Sequence, residues 1–250
     1  MAGLQVIYTL WLREMKWFVR SKARMIQSVI QPFLWLAIVG VGMSQTIMPG
    51  YVEFITPGII GMTLIFSSMM SGVSVLWDKQ FGFMKEILVA PVSRTHIMLG
   101  KALGGMTVSI FQGVLLLLAA GLIGVWPPSI AALIQILAFM ALISLGFVCA
   151  GLAFASRLED PVAFPVVMNF LIMPLFFLSG ALFPISNAPS WMRAIAHVNP
   201  LMYGVDGLRG AIPSQMGTPE FPMLVDFGVL FIFSAAMILL GGYLFRKTSA

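Results

Sequence analysis

Charge is scarce in this chain: 9% of its 250 residues are Asp, Glu, Lys or Arg, against 60% hydrophobic. A soluble domain carries about 25% charged residues. With a mean hydropathy of +1.00, a water-soluble globular fold is excluded and an integral membrane protein is indicated. Cysteine is nearly absent too. Cys149 stands alone inside an apolar run, which rules out a disulfide framework. The two histidines, His96 and His197, lie far apart in sequence, so no metal site is expected. A phosphate-binding loop is also missing, since that motif needs Gly, four residues, Gly-Lys and then Ser or Thr. The nearest match, Gly100-Lys101, is followed by Ala102 and has Thr95 where the first glycine belongs. No nucleophile-and-base cluster takes its place. The expectation is a chain with no catalytic residues and no cofactor of its own. Ionisable residues are sparse even within the apolar runs, with Asp226 near one end the only clear case. Ion-driven carriers keep such groups near the midplane, so this scarcity weighs against one.

What remains is apolar and comes in long stretches. A bilayer core about 30 Å thick needs about 20 helical residues to cross, and six segments meet that need: about 26–48, 55–77, 97–124, 129–155, 162–184 and 224–245. The fold class is therefore all-α integral membrane with six transmembrane helices. Pro49-Gly50, Pro57-Gly58, Pro91, Pro127-Pro128, Pro161 and Pro184 mark most of the ends. Pro32, Pro165 and Pro174 fall inside spans and are expected to kink them. No internal repeat or low-complexity tract is evident. No cleavable signal peptide is expected either, because the first long apolar run follows a basic segment of 25 residues and lacks a small-residue cleavage site.

Lysine and arginine set the orientation, being retained on the cytoplasmic side. Of the 14 basic residues, all but Arg193 and Arg209 fall in the N-terminal stretch, after the second span, after the fourth span, or at the C-terminal end. Both termini are thus expected in the cytoplasm. The net charge of +5 follows from this asymmetry and from attraction to anionic lipid, and implies no nucleic-acid partner.

Three segments outside the spans carry pattern. In residues 1–25, Leu4, Ile7, Tyr8, Trp11, Met15 and Phe18 share one helical face, with Arg13, Lys16, Arg20 and Arg24 nearly opposite. That is an amphipathic helix lying in the membrane interface, with Glu14 at the edge of its apolar face. In the cytoplasmic loop 78–96, Phe81, Met84, Ile87 and Leu88 fall on one side of a short helix and Asp78, Lys79, Lys85 and Glu86 on the other. Pro91 ends it and Ser93 caps the next helix from Arg94. Such a helix either closes the loop at the interface or presents a docking surface to a cytoplasmic partner. The external segment 185–223 is too short in its parts to span. Trp191, Met192, Ile195 and Val198 cover one face of a short helix, and Asn199-Pro200 offers an N-cap followed by proline at the first helical position. Short helices of this kind lie on the interface or are re-entrant, shielded by protein.

Two stretches carry a family resemblance. FGFMKEILVAPVSRTHIMLGKALGG (81–105) resembles the cytoplasmic loop of type 2 ATP-binding-cassette (ABC) export permeases, matching at Gly82, Lys85, Glu86, Leu88, Pro91, Val92, Ser93, Arg94, Gly100 and Lys101. FLSGALFPISNAPSWMRAIAHVNPLMYGVDGLRG (177–210) is similar to that family's external segment after the fifth span. One departure is Lys79 and Gln80, where the family often shows an acidic residue. The resemblance implies a single type 2 ABC transmembrane domain over 1–250. Its coupling helix (Phe81, Gly82, Met84, Lys85, Glu86, Leu88, Pro91, Arg94) would sit in a groove of a separate ATPase subunit that binds the ATP and magnesium. An interfacial helix with Trp11, Arg13, Lys16 and Arg20 would flank that ATPase, and an external gate with Trp191, Asn199, Pro200 and Tyr203 would cover the route outward. A second permease copy, membrane lipids and a lipophilic substrate are the other implied partners. Twenty phenylalanines and 19 methionines against four tyrosines fit an apolar, adaptable lining. The exporter of a lipophilic compound stands beside a lipid-linked glycan or polysaccharide permease of the same family. Outside it stand an ion-coupled carrier and a non-transporting membrane anchor.

Overall fold

The structure, a computed structural model, describes residues 2–43, 50–84, 93–212, 214 and 218–246. Every regular element among them is a helix: α1 (Ala2–Arg20), α2 (Lys22–Trp35), α3 (Tyr51–Met70), α4 (Val73–Gln80), α5 (Arg94–Leu122), α6 (Ile130–Arg157), α7 (Ala163–Phe177), α8 (Ser190–Val198), α9 (Pro200–Ala211) and α10 (Met223–Arg246). A π-helical turn, Leu36–Val41, continues α2, and a 3₁₀ turn, Ile185–Asn187, precedes α8.

Among the described residues four helices are long and apolar enough to cross a membrane: Tyr51–Gln80, which is α3 running on through α4, together with α5, α6 and α10. The first and fifth expected spans are shorter. The apolar part of α2 and its π turn covers Ile30–Val41. α7 has 15 residues, about 22 Å at 1.5 Å per residue, and Gly180 at φ +73° then turns the chain. Pro57-Gly58 does not mark an end as expected. It lies inside α3, where a Cβ on Gly58 would sit 2.5 Å from the Ala181 carbonyl oxygen, so the pair marks a close approach between α3 and the loop after α7.

α3 and α6 form the buried centre, α5 is half covered and α10 is mostly exposed. The α3–α6 crossing is tight. A Cβ on Gly151 would lie 2.4 Å from the Met69 carbonyl oxygen, and one on Gly72 would lie 2.5 Å from the Gly151 carbonyl oxygen. Small residues serve membrane helices in this way because lipid offers no hydrophobic drive to bring helices together, leaving close van der Waals packing to do so. Polar side chains add to it. Ser68 donates to Ser109 across α3 and α5 at 3.1 Å, and Ser234 donates from α10 to the Leu142 carbonyl at 2.9 Å.

Side-chain contacts place the helix ends. The Lys79 ammonium donates to the carbonyls of Ala155, Ser156 and Leu158 at 3.1, 2.9 and 3.2 Å, capping the C-terminal end of α6 where carbonyls are left over. Arg94 donates to the Arg246 carbonyl at 2.7 Å, joining the start of α5 to the end of α10. The ends of α4, α6 and α10 and the start of α5 therefore gather on one side, with the basic residues the sequence assigned together. Tyr51 at the start of α3 donates to the Leu182 carbonyl at 3.0 Å on the other side.

Gly151→Ala is expected to lower stability by about 1–3 kcal/mol by overpacking this crossing, read as a fall in the melting midpoint in detergent. Gly228→Ala, with nothing within 4 Å of the added Cβ, is expected to leave that midpoint unchanged or slightly raised.

Candidate functional site

The basic end is built around a lysine that hydropathy alone would place in lipid. Lys101, two turns into α5, is 2% exposed, and Asp78 of α4 and Glu14 of α1 are 3% and 8% exposed. The Lys101 ammonium lies 2.6 Å from Asp78 Oδ2, in an ion pair whose angle is not that of a hydrogen bond. It also donates to Ser74 Oγ at 3.2 Å and to Glu14 Oε1 at 3.4 Å. Arg13 of α1 pairs with the other Asp78 oxygen. Two cations and two carboxylates thus tie α1, α4 and α5 together. This corrects the expectation that Asp226 is the only clear charge within a span, and places Asp78, expected on the polar side of the loop helix, at the buried end of α4. It also accounts for Glu14, whose place at the edge of the apolar face is the place from which it reaches Lys101.

α1 can come this close because α5 offers glycine beneath it. Cβ atoms on Gly100 and Gly104 would lie 2.9 Å from Leu10 Cβ and 2.6 Å from Glu14 Cβ. Leu10, Glu14 and Phe18 are the buried line of α1, and Trp11 Nε1 donates to Thr107 Oγ1 of α5 at 3.0 Å. The expected apolar face therefore divides. Phe18 packs inward, Leu4 and Tyr8 stay exposed, and Lys16 and Arg20 face outward.

Beside the charged cluster lies a cleft of about 730 Å³ lined in part by Arg13, Lys16, Arg20, Trp77, Phe81 and Phe83. Trp77 and Phe81 stack with ring centroids 5.6 Å apart, and the Arg13 guanidinium sits 5.6 Å from the Phe83 ring centroid. Phe81 and Phe83 are 68% and 53% exposed, making an aromatic shelf, whereas Met84 is 1% exposed and belongs to the core. The expected helical face with Phe81 and Met84 together does not form. α4 ends at Gln80, and Gly82 at φ +78° takes a conformation that suits glycine. Lys85, Glu86, Ile87, Leu88, Pro91 and Val92 lie outside the described residues. Ser93 does precede α5, though without a side-chain capping bond.

The opposite end is closed by α9 and the segment after it. Asn199 caps α9, accepting from the Leu201 N–H at 3.0 Å, with Pro200 at the first turn as expected. Its own Nδ2 donates to the Leu175 carbonyl at 2.6 Å. Tyr203 donates to the His197 carbonyl at 2.8 Å and stacks on Phe221 at 5.3 Å. Trp191 is 60% exposed on α8, and Ile195 and Val198 are exposed with it, so that face points away from the closure. Two residues without an expected site role, Asp206 and Arg209, hold it. Asp206 accepts the Glu220 and Phe221 N–H groups at 2.8 and 2.9 Å. Arg209 donates to the Gly180 carbonyl at 2.8 Å and lies 4.3 Å from the Phe54 ring centroid of α3, a cation–π contact strengthened by desolvation. Burial lowers the Arg209 pKa, while Asp206 and then Glu220 oppose that shift. The i,i+3 spacing of Asp206 and Arg209 in an apolar helix was the available signal. Asp226 in the first turn of α10 is fully buried, with neither carboxylate oxygen hydrogen-bonded.

The described residues thus form a helical bundle with a buried charge cluster behind an exposed aromatic shelf and a tied segment at its far end. The description "ABC-2 type transporter" matches residues 5–212, and the chain belongs to that family. It is similar to the inner membrane transport permease YadH of Escherichia coli K12, with 29% identity over 241 residues, 93% of this chain and 91% of that one. It is also similar to the putative transport permeases ycf38 of Pyropia yezoensis, at 32% over 76% of this chain and 68% of the relative, and of Cyanophora paradoxa, at 29% over 81% and 73%.

Lys101→Met is expected to cost about 3–5 kcal/mol, because it leaves buried carboxylates without their cation. The check is the melting midpoint in detergent, with Lys101→Met/Asp78→Asn recovering part of the loss. An unchanged midpoint in the single variant would mean that the cluster does not hold α1 and α4 to α5.

Proposed function

We propose that this chain is the membrane subunit of an ATP-driven exporter of a lipophilic compound, assembled as two copies with two ATPase subunits. It crosses the cytoplasmic membrane six times with both termini inside, the shorter α2 and α7 supplying the first and fifth crossings. The observation that carries this reading is the link from the exposed Trp77–Phe81–Phe83 shelf, through Asp78, to Lys101 inside a spanning helix and Glu14 on α1. A flexible loop would absorb a push. Here the shelf continues directly from α4, and Asp78 is pinned to α5, so motion of a partner on the shelf moves several helices together. Exposed aromatics supply the grip and the basic residues beside them, Arg13, Lys16 and Arg20, favour an acidic rim on the ATPase. The exposed apolar edge of α1, with Leu4 and Tyr8, suits the lipid headgroup layer. With energy delivered at the inner end, opening of the Asp206–Arg209 closure at the outer end completes alternating access. The ion-coupled reading is not favoured, since the buried charges among the described residues sit towards the two ends of the bundle rather than at the midplane, and Lys101, Arg13, Asp78 and Glu14 neutralise one another.

The test is purification from native membranes with whichever ATPase accompanies the chain, followed by ATP hydrolysis with and without lipophilic compounds. Phe81→Ala/Phe83→Ala is expected to insert normally and to lose ATPase association by about thirtyfold, the effect of removing about 2 kcal/mol of anchor contact. Normal association and stimulation in that variant would take the shelf out of the mechanism. Transport that persists without ATP and collapses with the ion gradient would overturn the reading.

A further inference from the structure

A cavity of about 490 Å³ lies among α1, α2, α3, α5 and α7, within the size range of pockets that enclose small ligands. Its wall combines aromatic and methionine side chains, among them Trp17, Trp35, Phe66 and Met70, with the hydroxyls of Thr63, Ser67 and Ser71, and three carboxamides reach it: Gln31 from α2, Gln112 from α5 and Asn169 from α7. None of the three forms a hydrogen bond with any described residue. Gln112 is 7% exposed, so its unused amide faces the cavity and little else. A carboxamide withdrawn from water without a partner costs a few kcal/mol, and each carries two donors and an acceptor oxygen. Gln112 is the buried one, while Gln31 and Asn169 line the same cavity from exposed positions; brought together from three helices, the three amides make a recognition surface for a group that both donates and accepts.

The charge of that group follows from the neighbouring cluster. Among the described residues Glu14 is the one ionisable group on the wall, and it belongs to the set in which Arg13 and Lys101 balance Glu14 and Asp78. Among the described residues no surplus charge is left to draw an ion into the cavity, and an ionic head would be desolvated there without a described counter-ion. We propose that the cavity holds an uncharged amphiphile, with its alkyl or acyl body against the aromatic and methionine walls and a hydroxyl- or amide-bearing head on Gln31, Gln112 and Asn169. This rests on the transport reading and names the chemical class of its cargo.

Trp17 and Trp35 on the wall report entry, because bromine on a lipid chain quenches indole fluorescence on contact. The full chain in phosphatidylcholine nanodiscs, without ATPase or nucleotide, is titrated with three probes of one brominated chain: a monoacylglycerol, the fatty acid and the alkyltrimethylammonium. The monoacylglycerol is expected to give a saturable quench that Trp17→Phe/Trp35→Phe removes, and the charged probes only the non-saturating part due to partition into lipid. Gln112→Leu and, from a different helix, Asn169→Leu are each expected to raise the half-saturating concentration about fivefold, the worth of one hydrogen bond; either variant alone decides if the other fails to fold. Saturation by a charged probe as readily as by the neutral one, no saturable quench, or unchanged half-saturation in the folded variants would overturn the proposal. Binding here is separate from turnover. A failed titration beside intact ATP-dependent transport removes the cargo class alone. A successful one beside absent ATP-stimulated turnover removes the transport reading and leaves the pocket.

Discussion

A lysine ammonium enclosed in an apolar bundle is tolerable only where carboxylates meet it, and Lys101 is the constraint around which this structure is arranged. Its two acids come from different helices, Glu14 from α1 and Asp78 from α4. Satisfying one side chain therefore fixes three elements with respect to each other. Because removing any member strands the rest, the cluster behaves as a unit. An apolar contact of similar area would allow the helices to slide, whereas paired charges permit few geometries.

Glycine makes the arrangement sterically possible. Gly100 and Gly104 lower the surface of α5 so that α1 can bring Glu14 within reach, and Gly72 and Gly151 let α3 and α6 cross nearly backbone to backbone. The outer end uses the same physics in a different balance. Arg209 is held by a carbonyl, a ring and one carboxylate rather than by two acids, and Asp206 holds backbone N–H groups of the segment leading into α10. α3 touches both ends, with Phe54 under Arg209 at its start and α4 carrying Asp78 beyond its end.

Much of this was legible residue by residue. The four long helices, the gathering of basic residues on one side and the Asn199-Pro200 start of α9 all follow from patterns within about 20 residues of each other. Where local rules failed, a distant segment had intervened. Pro57-Gly58 reads as a break but sits inside α3, because Ala181 packs against it. Met84 reads as part of an exposed face, yet the turn at Gly82 sends it into the core while Phe81 stays outside.

Composition and periodicity by themselves determined that the chain is helical and that its long apolar helices suit a membrane, since each is a property of spacing or count along the chain. Only the tertiary structure decided that Glu14 and Asp78 are the partners of Lys101, that Arg209 lies on Phe54, and that Gln31, Gln112 and Asn169 share one cavity. Those residues lie on different helices, most of them scores of positions apart. Helical periodicity tells which face of a segment a polar group occupies, but the group that neutralises it is chosen by how the helices pack.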